Sequence, residues 1–69
     1  MNEVKPGEIY RHFKGNRYEI VGIAKHSETL CDYVVYKKVN GDEMWIRPLD
    51  MFTETIERDG KIIRRFEKE

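Results

Sequence analysis

Turn signals at short intervals constrain the fold of this chain more than any other feature. Glycine stands beside a turn-forming residue at Lys14-Gly15-Asn16, Asn40-Gly41 and Asp59-Gly60. Such residues accept a positive backbone φ at little cost. The segments between the turns are rich in Val, Ile, Tyr, Phe and Trp, the residue types that pack well on a pleated sheet. The spacing therefore predicts several short antiparallel strands.

The clearest strand runs from Arg17 to Lys25 and carries apolar residues on both faces. This pattern is expected where a sheet curves strongly, and Gly22 fits a bend within the strand. Asn40-Gly41 predicts a tight hairpin that joins a strand at Tyr33–Val39 to one at Met44–Arg47. The prediction continues with an end to that strand at Pro48 and then one short helical turn over residues 49–52.

We predict a single domain over residues 1–69, an all-β SH3-like barrel of five to six short antiparallel strands. An OB-type barrel is the alternative, although it usually needs a longer chain and a helix between strands. Leucine occurs twice and alanine once, which argues against a helical bundle. A chain of this size buries only about 60% of its unfolded surface. Residues 1–5 and 67–69 are polar, and we expect these ends to be loosely ordered.

Charge and cysteine content narrow the class of protein. Lys and Arg number 13, as do Asp and Glu, so the net charge is zero. Nucleic-acid binders usually carry a positive excess, so a nucleic-acid partner is not favoured. Cys31 is the only cysteine, which excludes an internal disulfide and suits a reducing compartment. No segment resembles a signal peptide or a membrane span, and we expect a cytoplasmic protein.

A family resemblance rests on a combination of short motifs. They are Pro6-Gly7, Tyr10-Arg11-His12-Phe13-Lys14-Gly15, Tyr18, His26-Ser27-Glu28-Thr29, Val34-Val35-Tyr36, Gly41, Trp45-Ile46-Arg47-Pro48 and Met51-Phe52. Together they resemble a small bacterial family of unknown function, the domain of unknown function numbered 1653. Cys31 and Asn40 stand where that pattern has an acidic and an aromatic residue. The resemblance implies a stand-alone bacterial domain with an SH3-like barrel, and it implies no established activity.

Metal binding and catalysis are each a minor alternative. A zinc site needs three or four converging ligands, and His12, His26, Glu28 and Asp32 fit no metal-ligand spacing. A small hydrolase or transferase could use His26 as base and Cys31 as nucleophile, but nothing in the sequence requires them to meet. We therefore expect no metal, no cofactor and no enzymatic activity.

Two motifs also have structural interpretations. In His26-Ser27-Glu28-Thr29 the hydroxyls and the carboxylate can cap backbone amides at a turn. Trp45 and Arg47 lie two residues apart, so in a strand they share one face. If that face is inward, Trp45 belongs to the core, and Arg47 stacks on an aromatic ring or pairs with an acidic residue. If it is exposed, Arg47 offers a planar fork beside an aromatic wall.

We predict a non-catalytic binding module, because aromatic, histidine and arginine side chains cluster in three short runs. Aromatic walls with a few charged anchors suit a peptide, a protein or a small-molecule ligand. A nucleic-acid-binding barrel is the first alternative. The predicted groove is lined by Tyr10, His12, His26, Glu28, Tyr36, Trp45, Arg47 and Phe52.

Overall fold

A computed structural model describes residues 4–69. Its elements are β1 (Ile9–His12), β2 (Arg17–Lys25), β3 (Asp32–Lys38), β4 (Met44–Pro48), α1 (Leu49–Phe52), β5 (Thr55–Arg58), β6 (Lys61–Arg64) and β7 (Phe66–Lys68). All pairings between described strands are antiparallel. The predicted all-β antiparallel domain with one short helical turn is therefore confirmed.

The strands form one larger sheet and one separate hairpin. The five-stranded sheet has the order β4-β3-β2-β1-β7, and β5 pairs with β6. Among the described strands, β4 and β7 lie at the edges of the larger sheet and do not pair with each other, so the sheet is open. The closed barrel of the sequence prediction is not observed.

One side of the five-stranded sheet carries the core. The buried apolar side chains are Val4, Tyr10, Ile20, Val34, Tyr36, Phe52 and Phe66. A β-bulge in β2 shapes this side, since Ile20 lies opposite Tyr36 whereas Gly22 lies opposite Val35. Val21 is thus an extra residue between Ile20 and Gly22. The predicted bend near Gly22 takes the form of this bulge, which increases local twist.

Helix α1 carries Phe52 into the core. The Phe52 ring stacks on Phe66 with 4.1 Å between centroids and meets Tyr10 edge-on at 5.2 Å. The hydroxyl of Thr53 donates to the carbonyl of Leu49 at 3.0 Å and closes the helix end. Within residues 4–69, no helix has the length and apolar character needed to cross a membrane.

Both ends of the described range contact the rest of the domain. Residues 1–3 lie outside the described range, and Val4 is buried. At the other end, Phe66 is buried and begins β7, which pairs with β1 through His12. The Glu69 carboxylate accepts a 2.8 Å hydrogen bond from Arg17, and this contact holds the pKa of Glu69 below its ordinary value. Phe66 thus joins β7 to the core, and pairing with β1 extends to Lys68.

Candidate functional site

Three of the eight residues predicted to line the groove lie in the core. Tyr10 is 7% exposed, Tyr36 6% and Phe52 1%. Their rings pack on one another, with centroids 5.5 Å apart between Tyr36 and Phe52. These residues therefore hold the domain together and cannot form the wall of an open groove.

His12 and Arg47 lie at the margin of this core, beside Phe66. The His12 ring meets the Phe66 ring edge-on at 4.9 Å, and the Arg47 guanidinium lies 5.5 Å from the same ring centroid. Arg47 Nε also donates to the Tyr36 hydroxyl at 3.4 Å. The inward alternative for Arg47, stacking on an aromatic ring, is the one observed. Burial, followed by the nearby charge of Arg47, lowers the pKa of His12.

The lowered pKa of His12 predicts a loss of stability in mild acid. The unfolded chain binds a proton at His12 near the ordinary pKa of about 6.5, and the folded chain binds it only at lower pH. The free energy of unfolding should therefore fall as the pH drops below 6.5, until the folded protein also protonates. Urea unfolding of the wild type and a His12→Gln variant between pH 7 and pH 5 measures this. A pH slope that is equal in the two proteins would contradict the assignment.

His26 and Glu28 belong to a turn between β2 and β3. The Nδ1 atom of His26 accepts backbone N–H bonds from Glu28 at 3.1 Å and Thr29 at 3.3 Å. The Thr29 hydroxyl accepts the N–H of Cys31 at 3.3 Å. Of the three predicted caps, the Thr29 hydroxyl is the one observed, and the His26 ring is an acceptor that the sequence interpretation did not include. No group of three or more His, Cys, Asp or Glu side chains within residues 4–69 could hold a metal ion.

The turn and Trp45 are at different ends of the β3–β4 pairing. His26 packs against Tyr33 with 5.7 Å between ring centroids, and Tyr33 lies opposite Pro48 at the far end of β4. Trp45 instead lies opposite Tyr36. Because Tyr33 and Tyr36 are three residues apart in β3, their side chains also point to opposite faces. The structure does not bring His26 and Trp45 into one site.

Among the residues predicted to line the groove, Trp45 is an aromatic residue with much of its surface in solvent. Its side chain is 48% exposed, so the core alternative is wrong. A detour before β4 creates the space beside it. The Asn40-Gly41 turn is closed by the N–H of Gly41 on the Lys38 carbonyl at 2.8 Å, and β4 begins only at Met44. The resulting cleft of about 300 Å³ is lined by Lys38, Gly41, Asp42, Glu43 and Trp45.

Two neighbours of Trp45 that the sequence interpretation overlooked are more exposed than Trp45 itself. Met44 is 64% exposed and Ile46 63%, and with Trp45 they form an apolar run in an edge strand. We call this run, with its unpaired backbone groups, the β4 edge. The other edge strand, β7, carries the charged Glu67 and Lys68. Charges and prolines on an edge strand discourage pairing with another chain. In β7 the charges follow Phe66 directly, whereas in β4 Arg47 and Pro48 come only after the apolar run, which carries neither device. Three consecutive apolar residues in a strand were the available signal.

The backbone N–H and carbonyl groups of Trp45 point toward β3 and form hydrogen bonds within the sheet. Ile20 directs both of its groups toward the β1 side, because its N–H donates to Glu8 and its carbonyl accepts from Gly7, each at 2.9 Å. In an antiparallel ladder the direction of these groups alternates along each strand. Tyr36, opposite Ile20, therefore turns its groups to β4 and bonds Trp45.

The same alternation leaves the groups of Met44 and Ile46 pointing away from the sheet. Pro48 is two residues beyond Ile46, so its backbone groups also point away from the sheet, and proline has no N–H group. This agrees with the rule that proline in an edge strand turns its nitrogen to solvent. Within residues 4–69, no loop or strand forms a backbone hydrogen bond on this side of β4.

Comparison with known proteins gives this arrangement a family. The sequence of residues 8–68 matches the family described as "Protein of unknown function (DUF1653)". This chain belongs to the DUF1653 family. The crystal structure of a DUF1653 protein from Bordetella bronchiseptica is similar, with a TM-score of 0.80 and 32% identity over 94% of this chain and 86% of that one. No curated protein matches the sequence.

Membership in DUF1653 confirms the resemblance inferred from the short motifs and brings no named activity. The β4 edge offers two apolar side chains on one face, Trp45 and the cleft on the other, and backbone donors and acceptors between them. Such a combination suits a ligand that is itself an extended polypeptide.

Proposed function

We propose that this protein is a non-catalytic binding module that takes an extended segment of a partner polypeptide at the β4 edge. The proposal rests on one observation. The apolar run Met44-Trp45-Ile46 lies in an edge strand and is half to two-thirds exposed, next to outward backbone groups that the described chain leaves unpaired.

A partner segment that joins the sheet as a further strand would contact each part of the β4 edge. The partner backbone would bond the outward groups of Met44 and Ile46, which gives affinity without regard to sequence. Its alternating side chains would contact Met44 and Ile46 on one face of the sheet and Trp45 on the other. Trp45 would supply most of the binding energy, because tryptophans are enriched among the residues that dominate interfaces.

The cleft beside Trp45 adds a means of selection. Asp42 and Glu43 line it together with Lys38, so carboxylates outnumber the ammonium group. A partner side chain that enters this cleft meets an aromatic face and a net negative charge. The proposed ligand is therefore an apolar segment with a neutral or basic residue opposite Trp45.

The proposal also covers the type of barrel and the cellular compartment. We propose that the open five-stranded sheet is a variant of an SH3-like barrel in which β4 and β7 do not pair. Cys31 is exposed and not in a disulfide, which suits a reducing bacterial cytoplasm. The proposal makes no use of nucleic-acid binding or of catalysis at His26 and Cys31, because the β4 edge supports neither.

Proline at position 46 tests the proposal directly. Ile46→Pro removes an N–H that points away from the sheet, whereas Ile46→Ala removes most of the side chain and keeps that N–H. A library of random peptides displayed on phage, selected on the immobilised wild-type protein, supplies the probe. We expect the selected peptides to bind Ile46→Ala more weakly than the wild type and Ile46→Pro not at all, as measured by isothermal titration calorimetry.

Circular dichroism of both variants provides the control. Each should unfold cooperatively, because Ile46 is exposed and its backbone groups do not bond β3. Peptides that bind a folded Ile46→Pro variant as tightly as the wild type would show that the β4 edge is not the binding site. A selection that yields no binding peptide on monomeric protein would also count against the proposal.

A further inference from the structure

We infer that the strand received at the β4 edge is β4 of a second copy of this chain, paired antiparallel about a two-fold axis at Trp45. The inference rests on the proposed function, since it names the partner of the same edge. It is carried by the segment Glu43-Met44-Trp45-Ile46-Arg47, whose two halves complement each other when a second copy is reversed alongside it.

The backbone groups fit this register. With the axis at Trp45, Met44 lies opposite Ile46 of the second copy, and both residues direct their N–H and carbonyl groups outward. Each would therefore donate one bond to the other and accept one in return, as in a hydrogen-bonded antiparallel pair. Moving the axis to Ile46 would place Met44 opposite Pro48, which has no N–H, and would lose bonds at both ends. The backbone favours the register at Trp45.

The apolar side chains fit the same register. On one face Met44 meets Ile46 of the second copy, so both of these exposed side chains are covered. On the other face the two Trp45 residues form a non-hydrogen-bonded pair, in which the Cα atoms are about 4.5 Å apart. Aromatic pairs directly across two strands are among the most favourable in sheets.

The charges at the two ends of the segment are opposite. Glu43, exposed immediately before β4, would lie near Arg47 of the second copy, on the face that carries Trp45. Arg47 uses its Nε atom for the Tyr36 hydroxyl, and its terminal nitrogens are suitable donors to a carboxylate. In the antiparallel dimer, Glu43 of each copy would lie near Arg47 of the other, which gives two pairs of opposite charge. A parallel pairing in register would instead place like charges together.

The assembly would close at two copies. The two five-stranded sheets would join into one continuous sheet through identical surfaces, and an interface of this kind is used up once it forms. The outer edges of the joined sheet would be the two β7 strands, which carry Glu67 and Lys68. These charges oppose further strand addition.

Sedimentation equilibrium over a wide range of concentrations tests the assembly. We expect a reversible dimer for the wild type and a monomer for Ile46→Pro under the same conditions. Glu43→Arg should raise the dissociation constant at least tenfold, because it places a second positive charge beside Arg47 of the other copy at each end of the interface. Lys61→Glu, an equally large change of charge in the exposed part of β6, is the matched control and should leave the constant unchanged.

A disulfide tests the register. In a Cys31→Ser background, Trp45→Cys places two cysteines directly across the axis, within the range of Cα separations that a disulfide spans. Met44→Cys places them on a diagonal of about 7–8 Å, beyond that range. Mild oxidation, at protein concentrations above the dissociation constant that the loss of Trp45 raises, should cross-link the first variant and leave the second without a cross-link on a non-reducing gel.

The possible negative results distinguish failure of the β4 dimer from failure of the proposed function. A wild type that stays monomeric at every concentration overturns the inference. If the phage-selected peptides still bind it in an Ile46-dependent manner, the proposed function stands, and if none binds, both fail. A dimer that persists in a folded Ile46→Pro variant, or that cross-links through Met44→Cys and not Trp45→Cys, overturns the β4 pairing.

Discussion

Phe52→Ala is expected to leave the chain largely unfolded at room temperature. Phe52 is 1% exposed and stacks on Phe66 at 4.1 Å. Truncating a buried phenylalanine to alanine destabilises a domain by about 3–5 kcal/mol. A domain of this length has a free energy of unfolding of roughly 3–10 kcal/mol. The loss is therefore comparable with the whole stability, and far-UV circular dichroism with urea titration measures it.

Met51→Ala is the matched control for this change. Met51 belongs to the same short helix but is 44% exposed, so its truncation should leave the unfolding midpoint nearly unchanged. A Phe52→Ala variant that unfolds at the same urea concentration as Met51→Ala would mean that Phe52 is not a core residue. Phe52 would then be available to contact a ligand.

Trp45→Thr is expected to weaken partner binding at least about thirtyfold while the domain stays folded. Trp45 is 48% exposed in an edge strand, and threonine retains a high preference for strands. Removing a residue that dominates an interface weakens binding by about 2 kcal/mol or more, roughly thirtyfold in the dissociation constant. The same titrations and sedimentation runs that serve the proposals above measure this loss, and thermal unfolding of the dilute protein measures stability.

Two further variants make the result specific to Trp45. Ile62→Thr changes an apolar residue that is 76% exposed in β6, and binding should be unaffected. Arg47→Ala removes the guanidinium stacked on Phe66, so it should lower the unfolding temperature. If Trp45→Thr lowers that temperature as much as Arg47→Ala does, Trp45 is a structural residue and the β4 edge loses its main contact.

The turn residues made most of the fold predictable. Asp59-Gly60 gives a two-residue hairpin, since Arg58 pairs with Lys61 and both turn residues have positive φ. Local sequence suffices there because the turn geometry depends on those two residues alone. Asn40 also adopts a positive φ, yet the predicted tight hairpin becomes a longer loop. The register of β4 is set by packing along the whole strand, which two residues cannot specify.

The site was less predictable because the same residue types serve as core and as ligand contacts. Tyr10 and Tyr36 were predicted to line a groove, and packing against Phe52 buries them. The exposure of Met44 and Ile46 follows from the place of β4 at the edge of the sheet. Strand order depends on contacts between distant segments, so the sequence of each segment by itself could not assign it.

By itself the sequence determined the β class, the positions of the turns and most strands, the helical turn before Phe52 and the family, because each depends on local backbone preference or on motif identity. The tertiary structure alone decided which strand exposes an apolar run at the edge of the sheet and which aromatic rings are buried. Those properties arise when segments far apart in the chain compete for one small interior, and a core of this size accepts only some of the aromatic residues.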